Sequence, residues 1–243
     1  MMSNTEVTKR FGAGHGVLTE ADTFFTYLVN TALGTRHEPS DEEVFTGFVA
    51  AYRRYGDESL SGPGSSLEQT AVLRERLPLL LAQMGIRSLL DAPCGDFNWM
   101  RRVRLGLDEY LGVDMLAELI EHNQREHATA TRTFRRADLR IDPLPPMDAI
   151  LCRDCLVHLS FANAIAVLRN FKRSGARYLL TTTFPSRGGN ADTSRCEWRP
   201  LNLELPPFNF PPPLCAINEQ CTEAGGAFRD KTMGLWRLAD VPV

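Results

Sequence analysis

The sequence predicts a doubly wound α/β domain behind an N-terminal helical segment, and three observations predict it. From Arg87 onward, short apolar runs alternate with helical stretches, the rhythm of a mainly parallel sheet with helices on both faces. The run Ser88-Leu89-Leu90-Asp91 ends in an acid and a small-residue turn, Ala92-Pro93-Cys94-Gly95-Asp96. A second run, Leu111-Gly112-Val113-Asp114, also ends in an acid. The spacing from Asp91 to Asp114 suits one strand–helix–strand unit. Such a unit presents a nucleoside ligand with loop atoms at the first strand end and a carboxylate for the ribose hydroxyls at the second.

The elements follow in order. Residues 1–18 are polar, contain three glycines and have no period. Residues 21–33 and 41–55 carry apolar residues at helical spacing. The second stretch has Ser40 and Asp41 as N-cap candidates and Glu42 and Glu43 in its first turn. Residues 59–66, Ser-Leu-Ser-Gly-Pro-Gly-Ser-Ser, form a turn-rich break. A Gly/Ser turn that opens a helix offers backbone N–H groups to an anion, which makes Ser65 a candidate for a ligand carboxylate. A plain turn with Ser65 or Ser66 as N-cap explains the same residues. A helix is expected over 66–84. Strands are expected at 87–91, 110–114, 132–136, 147–152 and 177–183, with helices at 97–104, 116–127 and 161–173. Residues 185–213 interrupt this rhythm with Gly188-Gly189, Pro206-Pro207 and Pro211-Pro212-Pro213, and a long excursion of this kind predicts a lid or substrate loop. Strands at 214–218 and 231–238 close the chain. The expected division is a helical cap over 1–84 and a ligand-binding domain over 85–243, with 185–213 as its substrate-loop insertion.

The chain has 243 residues, enough for one sizeable core and an added segment. Its formal net charge of −3 gives no basic footprint for nucleic acid. No apolar run is long enough to cross a bilayer, and residues 1–16 lack the apolar core of a signal peptide. A cytoplasmic protein is expected, with Cys94, Cys152, Cys155, Cys196, Cys215 and Cys221 as free thiols. Cys152 and Cys155 form a C-x-x-C, but zinc sites usually take four ligands from two such knuckles and there is no second one, so no metal is expected.

Four ordered pieces make the sequence resemble the class I S-adenosylmethionine-dependent methyltransferases over roughly 87–243. They are Leu90-Asp91-Ala92-Pro93-Cys94-Gly95-Asp96, Tyr110-Leu111-Gly112-Val113-Asp114, Ala137-Asp138-Leu139 and Asp148-Ala149-Ile150-Leu151-Cys152-Arg153-Asp154. The family's usual first turn has several glycines, and Pro93 and Phe97 stand at two of those places here. The resemblance implies a seven-stranded sheet with the last strand antiparallel, and S-adenosyl-L-methionine as cofactor. It also implies roles. Gly95 lets the backbone approach the methionine part, while Asp91 orders that loop with Pro93 or meets the ammonium group. Asp114 accepts from the ribose hydroxyls and Met115 packs on the adenine. Asp138 accepts from the adenine amino group with Leu139 beside it, and Cys152 and Arg153 line the sulfonium side. A nicotinamide-binding sheet is the nearest rival, but its Gly-x-Gly-x-x-Gly fingerprint is missing after the first strand.

The segment Cys152-Arg153-Asp154-Cys155-Leu156-Val157-His158 follows the fourth strand, where this fold places the methyl acceptor. Methyl transfer is an in-line displacement in which positioning supplies much of the rate. His158 is the candidate base because imidazole titrates near neutrality, and Asp154 is the candidate to orient it or to bind the acceptor. A His158 that only satisfies a structural hydrogen bond is the alternative. Arg199 beside Trp198 suits a carboxylate or phosphate-like group, with Asn190 near them in sequence, and Trp99 is a candidate pocket wall. The leading expectation is a small-molecule methyltransferase acting at oxygen, with nitrogen next. A nucleic-acid methyltransferase and a non-catalytic cofactor-binding partner are the other readings. The expected partner is a small-molecule acceptor, with a homodimer compatible and no membrane.

Overall fold

The computed structural model describes residues 40–193 and 196–243. The features expected at 1–18 and 21–33 lie outside the described residues. Seven strands form one sheet in the order β3-β2-β1-β4-β5-β7-β6. They are β1 (Ser88–Asp91), β2 (Glu109–Asp114), β3 (Arg132–Arg136), β4 (Ala149–Cys152), β5 (Tyr178–Thr183), β6 (Cys215–Asn218) and β7 (Thr232–Arg237). The first five strands pair in parallel, while β7 runs antiparallel to both β5 and β6. The chain reverses direction between β1 and β4, so their C-terminal ends flank the topological switch point where open α/β sheets hold ligands.

Successive side chains of a strand point to opposite faces, and both faces of this sheet are covered. Leu90, Ile150, Leu179 and Trp236 pack on one face against helix α4 (Phe161–Ser174). Leu89, Leu151, Leu180 and Leu235 pack on the other against helix α2 (Ala71–Gln83). The edge strand β3 buries Phe134 and turns Arg135 and Arg136 outward, a charged edge that discourages pairing with another sheet. Helix α3 (Ala117–His127) connects β2 to β3.

Local chemistry sets the helix ends. Helix α1 (Asp41–Tyr55) has a capping box: Ser40 Oγ accepts from the Glu43 N–H, and the Glu43 carboxylate accepts from the Ser40 N–H. Gly56 closes it in the left-handed region. Helix α4 has Ser160 as N-cap and Gly175 as its left-handed C-cap. The helix expected from Ser66 begins five residues later. Ser66 instead caps a turn by accepting from the Gln69 N–H, after a 3-10 turn over Pro63–Ser65.

One expected helix does not form. Residues 97–104 hold only a 3-10 turn, Met100–Arg102. Phe97 has a positive φ of 58°, which an α-helix cannot accommodate. Its ring is buried among Tyr110 and Phe134, and Trp99 and Met100 are buried with it. Helix α2 already packs on this face of the sheet, so the crossover from β1 to β2 runs as a compact aromatic turn. The excursion at 185–213 packs on the opposite face, burying Leu201, Leu203, Phe208 and Phe210, while the Trp236 indole donates to the Pro211 carbonyl at 2.7 Å.

Gly112 lies opposite Phe134 in the β2–β3 register, and a Cβ there would come within 2.6 Å of the Phe134 ring. Gly112→Ala should therefore destabilise the protein by about 1–3 kcal/mol through overpacking, read as a lower urea midpoint with unchanged slope.

Candidate functional site

A cleft opens at the C-terminal ends of β1, β2 and β4, with roughly 1250 Å³ of space between its walls when the solvent at its mouth is included. Three carboxylates reach it from successive strand ends: Asp91 from β1, Asp114 from β2 and Asp138 just after β3. Pro93, Gly95, Met115, Leu139 and Arg153 line it as well, as do Ser65, Trp99, Asp154 and His158. These twelve residues, scattered over much of the sequence, share one cavity.

Asp114 is buried, yet Oδ1 accepts from the Leu116 N–H at 2.9 Å and Oδ2 from the Gly95 N–H at 3.1 Å. Each carboxylate oxygen can accept a second hydrogen bond, so the group can hold a pair of hydroxyls. Burial raises its pKa to about 6, against the pull of those backbone donors. Asp91 is also buried and accepts a hydrogen bond from the Tyr110 hydroxyl. Its pKa is pushed up to about 7, chiefly by burial, with the Tyr110 bond opposing. Asp138 stands differently. Both of its oxygens are engaged by the Arg140 guanidinium, at 2.7 to 3.2 Å, and that ion pair holds its pKa below the usual carboxylate value. It faces the cleft as half of an ion pair.

Gly95 has a positive φ of 54°, and a Cβ on it would lie 2.1 Å from Ser61 Oγ. The expected reason for this glycine was approach of a ligand. The structure adds a nearer one, the loop at 57–66 that folds onto the turn. The Asp96 carboxylate fastens that loop by accepting from Ser59 Oγ at 3.0 Å, the Leu60 N–H at 2.6 Å and Ser61 Oγ at 3.2 Å. Asn98 joins the same loop by donating to Glu58 and to the Ser65 carbonyl.

The floor of the cleft is a buried ionic lattice. Arg153 donates to Glu219 at 2.7 Å and to the Gly64 carbonyl at 2.8 Å, and its guanidinium lies 5.7 Å from the Trp99 ring centroid. Asp154 pairs with Arg153 at 3.2 Å and with Lys231 at 2.5 Å. Burial works against the Asp154 charge, but Lys231 and Arg153 outweigh it and hold its pKa at about 2. Glu219 and Lys231 were not foreseen. The sequence marks them only as charges flanking a strand, and pairing across the sheet brings them to the site. His158 sits on the cleft wall with Nδ1 at 3.2 Å from the Cys196 carbonyl. A carbonyl only accepts, so Nδ1 is the donor in this contact, and in the neutral ring Nε2 holds the lone pair.

Four expected contributors lie elsewhere. Arg199 donates to the carbonyls of Ala191, Leu156, Val157 and Leu159, and stacks over Phe161. Its fork is occupied in tying the excursion to the turn after β4, so it is no anion receptor. Trp198 packs against Phe184 and Phe228. Asn190 donates to the carbonyls of Asn202 and Pro206. Cys152 is fully buried in β4, pointing into the core away from the cleft. No described residue of 185–213 lines the cleft, so the excursion is core-packed where a substrate loop was expected. The wall is instead supplied by α1, through Phe45, Phe48, Val49 and Tyr52. Three ion pairs hold α1 in place: Asp41 with Arg140 at 2.6 Å, Glu42 with Arg136 at 2.8 Å and Arg53 with Glu118 at 2.5 Å. Among the described residues, no group of three or more His, Cys, Asp or Glu is placed to hold a metal ion, and no helix is long and apolar enough to cross a membrane.

No protein-family model matches the chain, and a search of curated proteins gives no significant match. Solved structures do match. Human N-acetylserotonin methyltransferase in complex with SAM superposes with a TM-score of 0.55 at 15% identity, over 89% of this chain and 66% of that one. The chain has the fold of the class I methyltransferases. It spans just under two thirds of the length of that human structure. Magnesium protoporphyrin IX methyltransferase from Synechocystis PCC 6803 with bound SAH matches over 73% of this chain and 82% of that one, at 14% identity and a TM-score of 0.42. The N-methyltransferase NodS from Bradyrhizobium japonicum WM9 matches at 16% identity over 51% of this chain and 63% of that one, with a TM-score of 0.41.

The two raised carboxylates give a pH signature. Folded Asp91 and Asp114 keep their protons up to about pH 7 and 6, whereas an unfolded chain releases them near pH 4. Between those limits the folded state binds more protons, so its stability should fall as pH rises. Melting temperature followed by near-UV circular dichroism should drop by several degrees from pH 5 to pH 8, and Asp91→Asn should remove part of that slope. A melting temperature that rises across this window in the native protein, with Asp91→Asn no different, would contradict the assignment.

Proposed function

We propose that the protein is an S-adenosylmethionine-dependent methyltransferase acting on a small molecule, at oxygen first and nitrogen second. The observation that carries this reading is the convergence of Asp91, Gly95 and Asp114 on one cleft at the switch point of a methyltransferase-fold sheet. The residues fit the cofactor. Asp114 would take the two ribose hydroxyls on its remaining lone pairs, and Met115 and Leu139 would pack on the adenine. Asp138, committed to Arg140, would meet the adenine amino group at most as a shared acceptor. Asp91 would face the ammonium group, and an ammonium there favours its charged form. Ser65 is the candidate for the carboxylate, and Arg153 would line the sulfonium side. When bound, the cofactor supplies a methyl group on a positively charged sulfur.

His158 would accept the acceptor's proton on Nε2, with Nδ1 held by the Cys196 carbonyl to fix the ring. Asp154, charged at every physiological pH, would stabilise the imidazolium that results. Residues 1–84 would serve as a cap over a catalytic domain at 85–243, with α1 closing the acceptor side. Trp99, beside Arg153, would contribute to the same wall. The small-molecule acceptor is the expected partner, in a cytoplasmic setting, with self-association compatible. A nucleic-acid acceptor is the lesser reading, because the cleft carries more acids than bases.

Calorimetry on ligand-stripped protein tests the cofactor. S-adenosylmethionine and S-adenosylhomocysteine should bind in the micromolar range, and Asp114→Ala should weaken both by about 1–3 kcal/mol. No heat at millimolar cofactor would end this reading.

Turnover on an active acceptor tests His158, with demethylated cofactor as the readout. His158→Ala should lower turnover by about 10²–10⁴-fold and leave cofactor affinity nearly unchanged. Near-normal turnover would return His158 to a purely structural role.

A further inference from the structure

One wall of the cleft is a row of rings. Phe45, Phe48 and Tyr52 fall three and four residues apart along α1 and therefore share one face. Tyr52 and Phe48 stack with centroids 6.4 Å apart, and Phe48 and Phe45 lie 6.1 Å apart. Phe45 in turn meets the His158 imidazole edge-on at 6.0 Å. All four rings line the cleft and all are half-buried, where core rings such as Phe97 and Phe171 are enclosed. The row thus runs along the cavity wall and ends at the candidate base.

The charges of the cleft complement this row. Six carboxylates line it: Asp41, Asp91, Asp96, Asp114, Asp138 and Asp154. Against them stand two guanidiniums, both committed. Arg140 is held by Asp138 and Asp41, and Arg153 by Glu219 and Asp154. Lys231, just behind the floor, is held by Asp154. An anionic acceptor would find its possible cationic partners already engaged. A flat apolar body would find aromatic surface at little cost in ordering.

The geometry points to an aryl alcohol or aryl amine as the acceptor, uncharged at its reacting group, laid along Tyr52, Phe48 and Phe45 with its oxygen or nitrogen at His158. This rests on the methyltransferase reading and names its substrate class. It makes α1 the element that selects the acceptor. Carboxylates, phosphates and nucleic acids are disfavoured because the cations of the cleft are already paired, and Arg199, spent on backbone carbonyls, does not supply another.

A matched series tests the class. The full chain loaded with S-adenosylhomocysteine is titrated calorimetrically with the naphthol, naphthylamine and naphthoate of one ring position. The naphthol and naphthylamine should bind at least about tenfold more tightly than the naphthoate. Phe48→Ala should weaken naphthol binding about fivefold or more while S-adenosylhomocysteine affinity changes less than about twofold. Phe48→Leu keeps an apolar side chain on the helix and removes the ring, so it reports the same contact if the alanine variant does not fold. Naphthoate binding as tight as naphthol, no binding by any of the three, or unchanged naphthol affinity in both variants overturns the proposal. Failure of S-adenosylhomocysteine itself to bind overturns the cofactor reading instead. The ranking of the three probes on unloaded protein then decides the selectivity of the cleft separately.

Discussion

Arg153 carries its charge into a place where only 4% of its side chain meets solvent. Removing a guanidinium from water costs several kcal/mol unless hydrogen bonds and opposite charge replace the solvent. Its partners come from three separate parts of the chain: Glu219 after β6, the Gly64 carbonyl in the loop before α2, and neighbouring Asp154, which brings in Lys231 from the residue before β7. One buried cation therefore holds together the end of β4, the β6–β7 hairpin and the N-terminal loop. The floor of the cleft has its shape because these groups must satisfy one another.

The upper wall follows from that floor. The loop that supplies the Gly64 carbonyl is also fastened to the first turn by Asp96, and its Ser61 occupies the space that a side chain on Gly95 would need. Gly95 in turn donates to Asp114. The turn after β1 is thus fixed from both sides, by the N-terminal loop and by a carboxylate of the next strand. Asp91 and Asp114 are held in this arrangement at the cost of burial, which favours their protonated forms. A bound cation would restore their charge, so a ligand carrying positive charge suits the cleft as well as its hydroxyl-accepting geometry does.

The contrast between Arg199 and α1 shows which segment lines the cleft. An arginine beside a tryptophan in a proline-rich loop has the composition of an anion site, but it donates to the Ala191 carbonyl and to three carbonyls of the turn after β4. The excursion consequently becomes part of the core, with Leu201, Leu203, Phe208 and Phe210 buried beneath it. Helix α1, a plain amphipathic segment in sequence, takes the wall instead. Its apolar residues Phe45 and Val49 pack toward Leu116 and Leu119, and its acidic first turn meets Arg136 and Arg140.

The sequence by itself determined the backbone plan. The seven strands lie within two residues of their expected positions, and the expected cap Ser40 stands where helix α1 begins. Period and capping act over a few residues, so they are readable locally. The carboxylates at strand ends were readable too, because strand direction alone brings Asp91 and Asp114 to one edge. Tertiary structure decided what each polar side chain does. Phe97 turned an expected helix into an aromatic turn because α2 already covered that face. Arg199 and Asn190 went to backbone carbonyls and Arg153 went to Glu219, 66 residues away. A charged side chain chooses its partner by distance and desolvation after folding, and those depend on segments far apart in the chain.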